Sequence, residues 1–322
     1  MATMEIAFLQ NQLEERKRRL ETAIALVPQK TGLTSLLREV DSALERMEKG
    51  SYGLCQECHE TIEQDRLMAD PLVCYCLDHL SAPQRAALQR DLELASQLQR
   101  NLLPQANLRA GDWETCYHYA PVGAVSGDYC DLIPSDGQLF FVLGDVSGKG
   151  VAASMLMAQL HALFHSLSGM NLPLGKMATQ ANRVFCESAL AGQYATLVCG
   201  LAKASGEVEI HNAGHLPAIV VTHGAVLRIE STGLPLGMFH EFEFSATRLH
   251  LEKGDMMFLY TDGLSEARHN DDEYGVERVA HLARQAARRP AEMINACLDD
   301  LRSFVDGPAL DDLTLLAIQR TG

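Results

Sequence analysis

The sequence has no apolar segment long enough to cross a lipid bilayer. Its longest apolar helix candidate, residues 151–167, contains Gln159, His161 and His165, whereas a spanning helix needs about 20 mainly apolar residues. A secretory signal is also absent, because the first nine residues are too few and include Glu5. These absences predict a cytoplasmic protein that has no membrane partner.

An excess of basic residues is lacking as well. The 27 Lys and Arg residues face 42 Asp and Glu residues, which gives a formal net charge of −15. Repulsion from phosphate groups therefore argues against nucleic acid and anionic membranes as partners, while the carboxylates are available for divalent cations. The nine cysteines are an odd number, so we expect reduced thiols that are free or bound to metal.

Two stretches near the N-terminus have the spacing of amphipathic helices. In residues 4–49, apolar side chains recur every three, four or seven positions, and Pro28 and Gly32 mark the turn between the stretches. This pattern predicts an antiparallel helical hairpin over residues 1–50. We read it as a solvated helix pair with one shared seam.

A further helix is predicted over residues 83–104, where Pro104 ends it. Its apolar seam includes Leu88 and Leu102 and is broken by Gln99. Such a seam packs either within its own chain or against a second chain in a parallel coiled coil. We expect a homodimer through this linker helix or the N-terminal segment, and the helix is placed to transmit a signal between its neighbours.

Between these helices lie two pairs of metal-ligand residues. Cys55 and Cys58 form a C-x2-C pair, and Cys76 and His79 form a C-x2-H pair, with seventeen residues between Cys58 and Cys76. Thiolates and an imidazole at this spacing predict a closed, four-ligand structural Zn2+ site. Cys74 is an alternative ligand, but the spacing favours Cys76. Metal binding would supply much of the folding free energy of this segment.

The stretch ALERMEKGSYGLCQECHETIEQDRL resembles the DksA/TraR zinc-finger family, and the resemblance covers roughly residues 33–80. The four predicted zinc ligands fall on the ligand positions of that family, with His79 where many members have cysteine. The predicted hairpin tip, ALVPQKTGLTS, lacks the acidic pair that DksA-like proteins present to RNA polymerase.

From residue 105 onward the pattern predicts an α+β domain with antiparallel sheets. Apolar strand patterns come in runs, joined by hairpin-length turns, with pairs of helices inserted between them. Helices are predicted at residues 151–168, 173–190, 275–288 and 290–305. Strands are predicted at residues 114–119, 128–133, 138–143, 196–202, 207–211, 218–222, 243–251, 256–260 and 313–319.

Four turns at the ends of these strands carry aspartates beside small residues. They are SGDYCD (Asp128, Asp131), GDVSGKG (Asp145), LYTDG (Asp262) and DDLT (Asp311, Asp312). A single such aspartate is usually a turn residue, but four acidic turns together favour hard cations such as Mn2+ or Mg2+. One carboxylate shared between two ions would match two-metal phosphoryl hydrolysis, in which ions about 3.5–4 Å apart activate water.

These motifs, together with NAGHLPAIV and STGLPLG, resemble in their order the SpoIIE/RsbU branch of the PPM, or protein phosphatase 2C-like, phosphatases. The resemblance covers roughly residues 105–320. It implies a PPM-type β-sandwich flanked by helix pairs, and hydrolysis of phosphoserine or phosphothreonine on a protein. The usual substrate of this branch is a phosphorylated anti-sigma-factor antagonist of the STAS type.

The resemblance also implies a role for each acidic residue. Asp145 matches the carboxylate that bridges both metals, and Asp128 and the backbone carbonyl of Val146 match further ligands. Asp262 and Asp311 match the ligands of the second metal. Asp312 follows them in the same turn and is a candidate ligand, either directly or through water.

Four basic residues near these motifs are weaker candidates. Lys149 either orients the phosphate or is a solvated turn lysine. His215 is more often a structural turn residue than a general acid. His161 and His165 have the i, i+4 spacing of metal ligands, but the sequence shows no acidic partner, so packing is the favoured interpretation.

The sequence thus divides into a helical hairpin at residues 1–50, a zinc finger at 51–82, the linker helix at 83–104 and a phosphatase domain at 105–322. The predicted function is a Mn2+- or Mg2+-dependent serine/threonine phosphatase that is regulated through its zinc-finger module. The alternative is an interaction protein that binds RNA polymerase or another partner, with an inactive phosphatase-like scaffold. The intact acidic turns favour the enzyme.

Overall fold

The computed structural model describes residues 3–26, 31–63, 66–67, 70–80, 82–170, 172–190, 192–223, 225–270, 272–286, 289–307 and 309–322. Pro28 and part of the predicted hairpin tip lie outside these residues. The chain forms two compact units that meet in sequence between Arg90 and Asp91. Among the described helices, none combines the length and apolar character that a membrane-spanning segment needs.

The helices are α1 (Thr3–Leu26), α2 (Thr31–Glu48), α3 (Ala82–Leu102), α4 (Val151–Ser168), α5 (Leu174–Ser188), α6 (Asp262–Ser265), α7 (Gly275–Ala286) and α8 (Pro290–Phe304). The strands are β1 (Arg109–Ala110), β2 (Trp113–Ala120), β3 (Asp128–Ser135), β4 (Gln138–Val146), β5 (Ala195–Ala202), β6 (Glu207–Ala213), β7 (Ala218–Thr222), β8 (Ala225–Ile229), β9 (Thr247–His250), β10 (Met256–Tyr260), β11 (Arg268–His269), β12 (Asp272–Glu273) and β13 (Leu313–Arg320).

In the first unit, α1 and α2 pack against each other through the apolar residues that recur along both helices. Leu9 and Leu13 of α1 and Val40 of α2 are fully buried in one cluster. The same cluster includes Tyr52 and Ile62 from the cysteine-rich segment that follows. The predicted helix pair is therefore present, and its apolar face also supports the segment with the candidate zinc ligands.

The second unit is a sandwich of two antiparallel sheets. One sheet has the strand order β1-β2-β13-β10-β7-β8, and the other has the order β3-β4-β5-β6-β9. Their facing sides share a cluster that includes Phe141 and Val198 from one sheet and Met257 and Leu316 from the other. This arrangement confirms the predicted α+β fold with antiparallel sheets.

Helices cover the outer face of each sheet. Along β4, Phe141 points into the sandwich while its neighbours Phe140 and Val142 pack on the outside against α4 and α5, as the two-residue period of a strand requires. On the other sheet, α7 and α8 cover Phe258 and Leu315. Because both faces of the central strands are buried, their sequences are continuous apolar runs.

The predicted strands are all present, but several described elements were not predicted. The strand predicted at residues 243–251 is confined to β9, Thr247–His250. The unpredicted elements are β1, β8, β11, β12 and α6. Four of these five have only two or four residues, and β8 is a largely exposed edge strand, so none has a long apolar period.

A glycine in the middle of β5 provides a test of this packing. Gly200 lies directly opposite Phe141 on β4, and a Cβ on Gly200 would overlap the Phe141 ring. We expect Gly200→Ala to lower the free energy of unfolding by about 1–3 kcal/mol, the usual cost of overpacking a core. The measurement is urea unfolding followed by circular dichroism. Gly169→Ala is the control, because Gly169 has φ −75° and its nearest neighbour is 3.9 Å away. Equal midpoints for the two variants would contradict the prediction.

Candidate active site

Two of the predicted aspartates face each other across neighbouring strands. Asp128 opens β3 and lies in register with Asp145 near the end of β4. Asp128 is buried between the sheets, and its Oδ2 accepts hydrogen bonds from Thr261 Oγ1 at 3.0 Å and Thr314 Oγ1 at 2.5 Å. Its backbone N–H donates to Ser126 Oγ at 3.0 Å. Thr314 lies on β13 of the opposite sheet and Thr261 directly follows β10 of that sheet, so Asp128 links the two sheets at this end.

Burial and neighbouring negative charges raise the pKa values of three aspartates at this end of the sandwich. Burial, followed by the charge of Asp145, raises the pKa of Asp128 well above its usual range, although the Thr314 hydroxyl opposes this. Burial and the charges of Asp262 and Asp311 raise the pKa of Asp145 to about 7. Burial and Asp311 also raise the pKa of Asp262. These carboxylates are thus close enough to repel one another, and a divalent cation would relieve that repulsion.

The two remaining acidic turns meet at the other side of Asp145. Asp262 begins α6 directly after β10, and a Cβ on Gly263 would overlap the backbone carbonyl of Asp312. Because Gly263 has no side chain, the turn before β13 can approach α6 this closely. At the rim, Lys149 Nζ lies 3.0 Å from Asp311 Oδ1, so this lysine neutralises part of the acidic charge.

The backbone of Val146 approaches the same region. A Cβ on Gly127 would lie 2.8 Å from the Val146 carbonyl oxygen and 3.3 Å from Asp145 Oδ1. Because glycine has no side chain at position 127, the Val146 carbonyl can lie next to the Asp145 carboxylate, which is predicted to bind both metals. The two oxygens are therefore placed where they could serve one cation.

Asp312 holds the loop that leads into β3. Its Oδ1 accepts a hydrogen bond from the Val122 N–H at 2.7 Å, and its Oδ2 accepts one from the Gly127 N–H at 3.3 Å. The same loop is held from α3 by the buried residue Gln99. Its side-chain amide donates a hydrogen bond to the Ser126 carbonyl at 2.7 Å and accepts one from the Ser126 N–H at 3.0 Å. In the sequence, Gln99 stands out only as a break in an apolar seam, and that break is the available signal of a buried polar role.

The aspartates are more widely spaced than the ligands of a single ion. Within the described residues, two groups of three or more potential ligands have all their ligand atoms within 4.8 Å of one another, and the aspartates around Asp145 form neither of them. Asp131, which shares a motif with Asp128, lies on the opposite face of β3, where it contacts His161 and His165. The expectation that these histidines lack an acidic partner is therefore wrong.

A cavity of about 300 Å³ opens beside Asp145 and Asp262. His215 lies in its wall, where Nδ1 is 2.8 Å from Thr196 Oγ1 and Nε2 is 3.1 Å from the Tyr260 carbonyl. Burial lowers the pKa of His215 to about 4, so the ring is neutral at pH 7. With both nitrogens engaged, His215 joins β5 to β10, in agreement with the structural interpretation of this residue.

In the first unit, the four predicted zinc ligands converge. The ligand atoms of Cys55, Cys58, Cys76 and His79 all lie within 4.8 Å of one another, and Cys76 Sγ is 3.1 Å from His79 Nδ1. Burial opposes ionisation of the Cys55 thiol, but backbone N–H groups, beginning with that of Cys58, outweigh it and lower the pKa to about 6. Cys74 is not part of this group, so the geometry favours Cys76 over Cys74 as the fourth candidate ligand.

Two protein-family models match the chain. The model described as Stage II sporulation protein E (SpoIIE) matches residues 135–321, which is more than half of the chain. The model described as Prokaryotic dksA/traR C4-type zinc finger matches residues 50–78. The second match ends one residue before His79, where this chain has a histidine as its fourth candidate ligand.

Several curated proteins are similar in sequence. Phosphoserine phosphatase RsbU of Bacillus subtilis (strain 168) is 24% identical over 241 residues, which cover 72% of this chain and 71% of that protein. Protein IcfG of Synechocystis sp. is 28% identical over 262 residues, covering 71% of this chain and 41% of that protein. The aligned part thus spans less than half the length of IcfG.

Solved structures share the fold of the second unit. The RsbU and RsbW domains of Rv1364c from Mycobacterium tuberculosis align with a TM-score of 0.59 and 29% identity, over 66% of this chain and 62% of that chain. The SiaA-PP2C domain of Pseudomonas aeruginosa aligns with a TM-score of 0.63 and 18% identity, over 74% of this chain and 98% of that chain.

The predicted zinc ligands can be tested by substitution. We expect Cys58→Ser to weaken the thiolate-to-metal charge-transfer band of the cobalt-substituted protein, because one of three thiolates is lost, and to increase proteolysis within residues 51–80, because metal binding and folding are coupled in such sites. Cys74→Ser is the matched control and should keep the band. The ligand set is wrong if Cys74→Ser loses the band while Cys58→Ser keeps it.

Proposed function

Because this chain belongs to the SpoIIE family, we propose that it is a metal-dependent serine/threonine phosphoprotein phosphatase whose active site lies around Asp145. The observation that carries this proposal is the cluster of mutually repelling carboxylates at one end of the sandwich. Burial and neighbouring charges raise the pKa of Asp145 to about 7. A protein has no structural need for such a cluster, whereas a pair of divalent cations would stabilise it. The intact cluster also disfavours an inactive scaffold.

The donor atoms at this end fit hard cations. They are carboxylate and carbonyl oxygens, which suit Mn2+ and Mg2+ rather than softer metals. We assign Asp145 as the residue shared by two ions, with Asp128 and the Val146 carbonyl on one side and Asp262 and Asp311 on the other. Asp312 completes the acidic set, either as a ligand or through a water molecule.

When bound, the cations supply Lewis acidity for phosphoryl transfer and make water a stronger nucleophile. The residues of this chain fix the positions of the ligands. Thr261 and Thr314 hold one oxygen of Asp128 and leave the other for a cation. Lys149 is engaged by Asp311 and by the Leu310 carbonyl, at 3.0 and 2.9 Å, which favours charge compensation over direct phosphate binding.

The surroundings of the site support a protein substrate. Exposed apolar side chains flank the acidic turns, with relative exposures of 50% for Val151, 68% for Met155, 39% for Tyr194 and 75% for Leu310. Such side chains bury area when a folded partner docks. Together with the similarity to a phosphoserine phosphatase, this supports a phosphoserine on a regulatory protein, for which the STAS type is our proposal.

We further propose that the N-terminal module regulates the site through α3. The side-chain amide of Gln99 forms hydrogen bonds with the backbone carbonyl and the backbone N–H of Ser126. The Ser126 hydroxyl in turn accepts a hydrogen bond from the Asp128 N–H. A displacement of α3 would therefore shift an assigned metal ligand. Leu94 and Leu98, four residues apart on α3, are 57% and 60% exposed, which supports a dimer seam along this helix.

The catalytic assignment predicts a strong effect at one position. Asp145→Asn should lower the manganese-dependent hydrolysis of a phosphoserine protein by roughly 100-fold or more, because removing one group that stabilises transition-state charge costs about 10²–10³ in rate. Manganese affinity, measured by calorimetry, should fall as well. The control is Asp136→Asn, the same substitution in the exposed turn between β3 and β4. Activity of Asp145→Asn equal to that of the unmodified protein would overturn the assignment.

The regulatory proposal predicts that the N-terminal module influences turnover. We expect deletion of residues 1–83 to change kcat or the manganese concentration for half-maximal activity at least threefold. Gln99→Leu should also change these values, because it leaves the Ser126 backbone groups unpaired. Gln97→Leu, at an exposed position of the same helix, is the control. Unchanged kinetics in both the deletion and Gln99→Leu would argue against regulation through α3.

A further inference from the structure

We propose that Asp131, His161 and His165 form a third metal site, which binds a borderline divalent cation such as Zn2+ and fixes α4 to β3. His161 and His165 are four residues apart on α4 and face Asp131 on β3. His161 Nδ1 lies 3.2 Å and His165 Nε2 lies 2.8 Å from Asp131 Oδ2. All three ligand atoms are within 4.8 Å of one another, as the ligands of one ion are.

The site is built into the core and is not a surface cluster of charges. The side chains of Asp131 and His161 are only 3% and 15% exposed, while that of His165 is 47% exposed, so the site opens to solvent at one corner. His161 Nδ1 is buried and makes no hydrogen bond to any described residue, although it lies close to the carboxylate. A lone pair directed at a shared cation would explain this orphaned nitrogen.

The Asp131 carboxylate is oriented by its neighbours. The Tyr129 hydroxyl donates a hydrogen bond to Oδ2 at 3.2 Å, and the Leu132 N–H donates one to Oδ1 at 2.8 Å. Hydrogen bonds of this kind hold ligating carboxylates in place in metalloproteins. Tyr129 is itself fully buried and packs against the ring of Phe164 on α4, so the donor that orients the carboxylate is also fixed.

The ligand types indicate which cations the site would take. Two imidazole nitrogens and one carboxylate oxygen suit Zn2+, Co2+ or Ni2+, whereas Mg2+ prefers oxygen ligands alone. Three protein ligands leave a fourth tetrahedral position for water. The site thus differs in chemistry from the oxygen cluster around Asp145 and from the thiolates of the zinc finger.

The site shares no ligand with either of those centres. Asp128 points into the sandwich and Asp131 points to the helix side, because they lie on opposite faces of β3. The helix that carries the two histidines begins at Val151, five residues after β4 ends at Val146. A cation bound here would therefore restrain the helix that follows the Asp145 turn, without taking part in hydrolysis.

The experiment counts zinc equivalents in the 322-residue chain after its zinc finger has been loaded. In buffer with excess Mg2+, which competes with zinc for the carboxylate cluster, we expect the protein to bind by calorimetry one equivalent of Zn2+ more than the His165→Ala variant does, and to show a higher Tm with Zn2+. Cobalt at this site should give a d–d spectrum without a thiolate charge-transfer band. His165→Ala should weaken the binding by roughly 100-fold, since three ligands are reduced to two.

A matched control separates metal binding from loss of an ion pair. His250 resembles His165 in exposure, at 48%, and lies 3.2 Å from Glu252, so His250→Ala removes a similar contact and should keep the extra equivalent. His165→Gln, which keeps a polar side chain in the half-exposed corner, covers the case in which the alanine variant folds poorly. The proposal is overturned if the unmodified protein binds no extra equivalent, or if a folded His165 variant binds it with unchanged affinity.

Discussion

The repulsion among buried and half-buried carboxylates at one end of the sandwich is the constraint on which the rest of the second unit depends. Pairing of β3 with β4 sets Asp128 opposite Asp145, and the turns after β10 and before β13 add Asp262 and Asp311. Burial and the surrounding charges raise the pKa of Asp145 to about 7. An arrangement of this kind opposes folding unless the packed sheets hold it together, and functional sites are where proteins retain such conflicts. The apolar clusters on both faces of each sheet provide that support.

The alternation of side chains along one strand separates two ligand chemistries. Asp128 faces the interior of the sandwich and accepts hydroxyl hydrogen bonds from Thr261 and Thr314. Three residues later, Asp131 faces α4 and meets His161 and His165. Oxygen ligands on one face and mixed imidazole and carboxylate ligands on the other favour different cations. The cysteine-rich segment of the first unit adds thiolates, so each proposed group of ligands suits a different class of metal.

The loop before β3 connects this chemistry to α3. Gln99 holds Ser126 from the helix, and Asp312 holds Gly127 from the acidic turn before β13. Hydrogen bonds from two sides thus hold the loop immediately before Asp128. A change in either set of hydrogen bonds would therefore shift the Asp128 carboxylate. This contact explains why Gln99 interrupts the apolar seam of α3, because a buried amide must satisfy its hydrogen bonds.

The local sequence pattern was sufficient to predict structure wherever the relevant residues are near one another in sequence or repeat regularly. Paired spacing of Cys55, Cys58, Cys76 and His79 indicated the zinc ligands, and apolar runs indicated every long strand of the sandwich. Short or exposed elements such as β8 and α6 were not predicted because they have no long apolar period. The partnership of Asp131 with His161 and His165 could not be predicted, since it depends on how α4 packs over β3. Likewise, Asp128 and Thr314 are 186 residues apart, and contacts at such separations arise from strand pairing and sheet packing, which local composition does not encode.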